Sequence, residues 1–84
     1  MSKTIKTAHN VFNRMQNGED IGEKVAQRRK ALGLSQSELA EFALCGRLFV
    51  SQLENGKQSV RLDKLLAILN VLGLELELAE VNRR

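Results

Sequence analysis

The stretch from Ser35 to Gly56 leaves this chain little choice of fold. Ser35 is a favoured helix N-cap, and Glu38, three residues on, completes a capping box in which each side chain satisfies the other residue's backbone N–H. A helix is therefore predicted over Gln36 to about Ala43, with Leu39 and Ala40 turned inward. Leu44-Cys45-Gly46 interrupts it. Beyond the break, Val50 and Leu53 stand at helical spacing and predict a second short helix from Arg47 to about Asn55, ended by Gly56.

The flanks supply apolar faces. Ile21, Val25 and Leu32 fall on one side of a preceding helix that closes at Gly33, where glycine takes a left-handed cap at least cost. Leu62, Leu65, Leu66, Leu69 and Leu72 follow the i, i+3, i+4, i+7 rhythm of a fourth helix ending at Gly73, and Ile68 and Val71 widen its stripe. Leu74 to Leu78 then alternates leucine and glutamate, the period of a half-buried strand. With no second strand visible, its ladder partner is expected to be the same strand of a second subunit; the alternative is a fraying tail that leaves three leucines wet. Residues 1–20 are polar with scattered apolar positions (Ile5, Val11, Phe12, Met15) and end in the turn-like Asn17-Gly18, which reads as an arm.

At 84 residues the chain makes one small domain, a size that often leans on a partner subunit. Its composition, 43% hydrophobic and 27% charged, is that of a folded protein. Three phenylalanines and no Trp or Tyr leave almost nothing for stacking single-stranded bases. The net charge of +3 is modest, and the excess lies before residue 58. The lone Cys45 fits a reducing compartment, and no apolar run approaches the roughly 20 residues of a membrane span or the core of a signal peptide. His9 and Cys45 are too few for a zinc site of about four ligands, and neither has a catalytic partner at an informative spacing, so no metal, no cofactor and no enzymatic activity are expected. Nor is there a glycine loop for phosphates.

Two short helices joined by a brief turn, the first capped and the second polar at its front, form a helix-turn-helix. Leu34-Ser35-Gln36-Ser37-Glu38-Leu39-Ala40 followed by Gln52-Leu53-Glu54-Asn55-Gly56-Lys57 resembles the Cro/C1-type (XRE) DNA-binding family. Within it, Phe49-Val50-Ser51-Gln52-Leu53-Glu54, Ser59 to Leu66 and Leu72 to Leu78 resemble the HipB-like antitoxins. The resemblance spans about residues 21–80. It implies an all-α, lambda repressor-like domain with a C-terminal β-strand, dimeric through an intersubunit two-stranded sheet. The expected division is an arm at 1–20, the DNA-binding domain at 21–73, and a dimerisation strand and tail at 74–84.

The resemblance also places the working residues. Arg47, Leu48, Ser51 and Gln52, at the front of the second motif helix, are expected to reach base edges in the major groove. The chemistry suits this: Arg forks onto guanine, Gln pairs with adenine, and leucine packs on a thymine methyl. Phosphate contacts are expected from Arg28, Ser35, Gln36, Asn55, Lys57 and Arg61, with Gln36 at a helix N-terminus that favours an anion. Arg29 and Glu54 match positions that form an ion pair, and Ile68, Val71, Leu74, Leu76 and Leu78 are assigned to dimerisation. Three positions depart from the family: Leu44 stands where a turn glycine is usual, which suggests a turn reshaped around Gly46; Arg28 replaces a packing leucine; and Phe49 replaces a small residue and is expected to fill core.

The expected protein is thus a cytoplasmic, nucleoid-associated bacterial repressor that binds double-stranded operator DNA as a homodimer. Through the HipB-like resemblance it is expected to be the antitoxin of a HipA-like serine/threonine kinase toxin, autoregulating their operon. The rivals are a stand-alone phage or chromosomal repressor and a protein-interaction module that has kept the fold without DNA binding.

Overall fold

The structure is a computed structural model and describes residues 18–80. Four helices lie among them: α1, Gly18–Ala31; α2, Gln36–Ala43; α3, Arg47–Glu54; and α4, Leu62–Leu72. The expected arm lies outside the described residues up to position 17, and its last three residues instead form the first turn of α1.

The α2 start is set by the capping box: Ser35 Oγ accepts from the Glu38 N–H at 3.0 Å, and Glu38 Oε1 accepts from the Ser35 N–H at 2.8 Å. All four helices stop in the same way. Just past each helix end a residue donates its N–H back across the last turn, from Leu34 to the Arg29 carbonyl, Cys45 to Ala40, Lys57 to Gln52 and Leu74 to Leu69, at 2.8 to 3.1 Å. Each such closure needs a left-handed residue just before the donor. Three are glycines, Gly33, Gly56 and Gly73; the fourth is Leu44, at φ 57° and ψ 46°. The turn is therefore not reshaped around Gly46, which is extended and merely opens α3. Leu44 carries the left-handed geometry itself, at a cost of about 1–2 kcal/mol for a residue with a Cβ.

The core is formed by Val25 of α1, Leu39, Ala40 and Ala43 of α2, Val50 and Leu53 of α3, and Leu65, Ile68, Leu69 and Leu72 of α4. The α4 register differs from the sequence expectation. Leu62 and Leu66 are 60% and 45% exposed, while Ile68 is fully buried. Apolar residues occupy most of this helix, so two stripes satisfy the same rhythm, and the one centred on Leu65, Ile68, Leu69 and Leu72 meets α2. Ile68 is thereby removed from the dimerisation set, because a side chain sealed inside one protomer cannot touch another. Leu32 is also exposed, since α1 ends one residue before it and the chain has already turned.

α1 approaches α3 unusually closely at Gly22. A Cβ there would lie 2.2 Å from the Leu53 carbonyl oxygen and 3.0 Å from that of Glu54, so only glycine lets α1 rest against the end of α3. No helix among the described residues is long and apolar enough to cross a membrane. Residues 74–80 continue from α4 without helix or ladder; a strand exists only by pairing, and the single chain offers this segment no partner strand among the described residues.

Candidate nucleic-acid interface

α3 has two faces. Val50 and Leu53 are buried, which turns Arg47, Leu48, Ser51, Gln52 and, at the C-cap, Asn55 to the other side of an eight-residue helix. Arg47 is exposed and Leu48 is 67% exposed, whereas Ser51 and Gln52 are half-buried. The front of α3 thus offers a guanidinium, an aliphatic side chain, a hydroxyl and an amide on one stripe. Phe49 is half-buried against the core, with the Lys64 ammonium 5.8 Å from its ring centre.

Behind this stripe, α1, α2 and α3 are joined through Arg29. Its Nε donates to Glu54 Oε2 at 2.6 Å and its Nη2 to Glu54 Oε1 at 2.9 Å, a two-pronged pair, while Nη1 donates to the Leu34 carbonyl at 2.9 Å. Gln36 Nε2 donates to the same Glu54 Oε1 at 3.0 Å. Burial pushes the Glu54 carboxyl up, but the hydrogen bonds from Arg29 and Gln36 and the charges of Arg29 and Lys30 outweigh it and hold the group below the ordinary carboxylate range. The hydrogen bond to Glu54 raises the Arg29 guanidinium against the opposing effect of burial. The pair bolts the N-terminal end of α2 and the C-terminal end of α3 to α1.

The expected phosphate contacts fall in three groups. Ser35, Asn55 and Lys57 are exposed at the ends of α2 and α3, and Gln36 is half-buried at the first position of α2. Arg61 is exposed and paired with Asp63, Nη2 to Oδ2 at 2.7 Å and Nε to Oδ1 at 3.2 Å; that pair raises the guanidinium and lowers the carboxyl. Arg28 is placed differently from the free phosphate ligand expected of it. Its Nε donates to the Leu72 carbonyl at 2.8 Å, so it caps the C-terminus of α4, where a cation meets the negative end of the helix dipole. That contact gives an arginine a structural role at this position.

One residue and one contact escaped the sequence reading. Gly22 gave no signal beyond being a glycine inside a helix, a position that costs about 1 kcal/mol relative to alanine and so asks for a packing reason. The Gln36–Glu54 bond spans 18 residues and has no local signature. Among the described residues no group of three or more His, Cys, Asp or Glu side chains is placed to hold a metal. Burial raises the Cys45 thiol above its ordinary value, which makes it a poorer nucleophile.

A capped short helix, a tight turn and a second helix with an uncovered polar front, clamped from behind, define a helix-turn-helix protein of the XRE type. The chain belongs to that family: the helix-turn-helix family model matches residues 25–78. It is also similar to the uncharacterized HTH-type transcriptional regulator y4mF of Sinorhizobium fredii (strain NBRC 101917 / NGR234), with 35% identity over 84 residues, covering 100% of this chain and 97% of that protein. Family membership makes the chain a DNA-binding regulator and not an enzyme.

Proposed function

We propose that the protein is a transcriptional repressor that binds its operator as a homodimer, with α3 in the major groove. The observation that carries this reading is the uncovered α3 stripe beginning at Arg47 and Leu48, held from behind by the Arg29–Glu54 pair. Arg47, Leu48, Ser51 and Gln52 contact base edges; Ser35, Gln36, Asn55, Lys57 and Arg61 hold the phosphates on either side and fix the register. Arg61 exchanges its exposed Asp63 partner for a phosphate at little cost, because such surface pairs are weak.

Two-fold symmetry sets two α3 helices about one turn of DNA apart, roughly 10 bp or a multiple of it, on a near-palindromic site. The subunits join through the end of α4, where Val71 is partly exposed, and the C-terminal segment, where Leu78 is 96% exposed, Leu76 is partly so and Leu74 leans on the core. Pairing residues 74–78 with the same segment of a second chain gives their backbone groups a ladder and covers the leucines. Within this reading, the HipB-like character of residues 49–78 supports an antitoxin that partners a HipA-like kinase; co-purification of such a kinase, encoded beside this protein, separates that role from a stand-alone repressor.

The test is a mobility-shift titration with the DNA upstream of the protein's own coding sequence. The wild-type protein shifts it in a salt-sensitive way, and Arg47→Ala weakens the shift by roughly 5–150-fold, the discrimination carried by one two-pronged arginine contact of about 1–3 kcal/mol. A wild-type protein without a shift, or an unchanged shift with Arg47→Ala, sinks this reading.

A further inference from the structure

We infer that Glu54, beyond its pairing with Arg29, is a positioning residue for DNA: it fixes the Gln36 side-chain amide so that one N–H is held ready for a phosphate. The inference rests on the reading of Gln36 as a phosphate contact. Its own ground is a chain of three hydrogen bonds onto one carboxylate. Arg29 grips both Glu54 oxygens, at 2.6 and 2.9 Å, and leaves Oε1 to accept a further donor, which Gln36 Nε2 supplies at 3.0 Å.

The carboxylate accepts only, so the group facing it must be the amide nitrogen and not the amide oxygen. That settles which way the Gln36 amide points. One Nε2 hydrogen is spent on Glu54, and the other remains available at the first position of α2, where the backbone N–H groups and the helix dipole already favour an anion. Because the Glu54 side chain is 7% exposed and held at both oxygens, it is a rigid post. A glutamine on a helix surface would otherwise sample several rotamers, and ordering it on binding would subtract from affinity. The carboxylate thus settles the amide before DNA arrives.

Removing Glu54 alone strands Arg29, so the test replaces both partners. Arg29→Met with Glu54→Met deletes the post, leaves net charge unchanged and substitutes side chains of similar size, an exchange that buried ion pairs tolerate. Affinity for the upstream DNA is measured by fluorescence anisotropy for the wild type, Gln36→Ala, the double methionine variant and the triple variant, at a temperature where circular dichroism shows all four folded. Gln36→Ala is expected to weaken binding roughly tenfold, the worth of one hydrogen bond to a charged oxygen. The double variant is expected to lose a similar factor, and Gln36→Ala to cost little more in its background. A double variant that binds like the wild type, or penalties that simply multiply, overturns the positioning role and leaves the phosphate contact standing. Gln36→Ala with wild-type affinity overturns both. Should the double variant not fold, side-chain 15N relaxation of the intact free protein decides: the Gln36 amide is expected to be nearly as ordered as the backbone, with an order parameter near 0.85, and a value below about 0.6, like that expected of the exposed Gln27, overturns the inference.

Discussion

Replacing Leu44 with glycine is expected to stabilise the protein, and the size of the gain follows from the four helix ends. Gly33, Gly56 and Gly73 close three helices in the left-handed region without penalty, while Leu44 closes α2 in the same geometry with a Cβ. That Cβ costs about 1–2 kcal/mol. The rest of the side chain returns almost nothing, because it is 91% exposed. Against the relief stands the wider freedom that glycine gives the unfolded chain, about 0.4–1 kcal/mol. The net gain is about 0.5–1 kcal/mol, which in a domain of this size raises Tm by about 2–8 °C. Thermal unfolding followed by circular dichroism at 222 nm measures it, at one fixed protein concentration because association shifts Tm. Leu44→Ala is the control: it removes the same exposed side chain but keeps a Cβ in the left-handed region, so its Tm should stay at the wild-type value. If Leu44→Gly fails to rise, or Leu44→Ala rises as far, the backbone argument is refuted.

Gly22→Ala should act in the opposite direction. Overpacking costs about 1–3 kcal/mol, and a Cβ 2.2 Å from a backbone carbonyl is a severe case; alanine's helix preference of about 1 kcal/mol returns part, for a net loss of about 1–2 kcal/mol read as a lower Tm. An unchanged Tm would contradict the close approach of α1 and α3. The Glu54 carboxyl is lowered in the folded state, so its contribution is fully present above the ordinary glutamate value of about 4.3 and is lost as pH falls through the lower folded value. Tm measured from pH 7 to pH 2 should therefore drop on the acid side, and drop less in the double methionine variant at positions 29 and 54. Asp63 is lowered as well, but it is exposed and common to both proteins, so the difference between the two curves isolates Glu54.

How far sequence reading reached depended on how local each cause was. The capping box needs only Ser35 and Glu38, and a glycine stop needs one residue, so the start of α2 and the end of α4 were plain. The inner faces of α2 and α3 were legible too, because half of each helix is polar, Leu39 and Ala40 are neighbours in one, and Val50 and Leu53 stand at helical spacing in the other. In α4 there are too many, and only the packing against α2 selects Ile68 over Leu62 and Leu66. Arg28 capping α4 across 44 residues, and Gln36 meeting Glu54 across 18, are set by where whole helices land. The Arg29–Glu54 pair was reached by family resemblance alone, since nothing in its 25-residue separation announces it. Leu44 stands out in the sequence as a leucine at a left-handed turn, yet the turn is not rebuilt around Gly46. The loop-back bond from Cys45 to Ala40 keeps the turn where a glycine would have put it.

The close approach at Gly22 has a consequence for how the molecule breathes. Gly22 and Arg29 stand seven residues apart, about 10 Å along α1, and both fasten the same terminal turn of α3. Two such anchors on one helix do not release separately. The amides of central α1 and of the last turn of α3 should therefore exchange with deuterium as one cooperative unit, at a rate set by sub-global opening and not by fraying of the α3 end. A recognition helix fastened in this way reaches its target already ordered, so binding should lack the large negative heat-capacity change of a segment that folds as it docks.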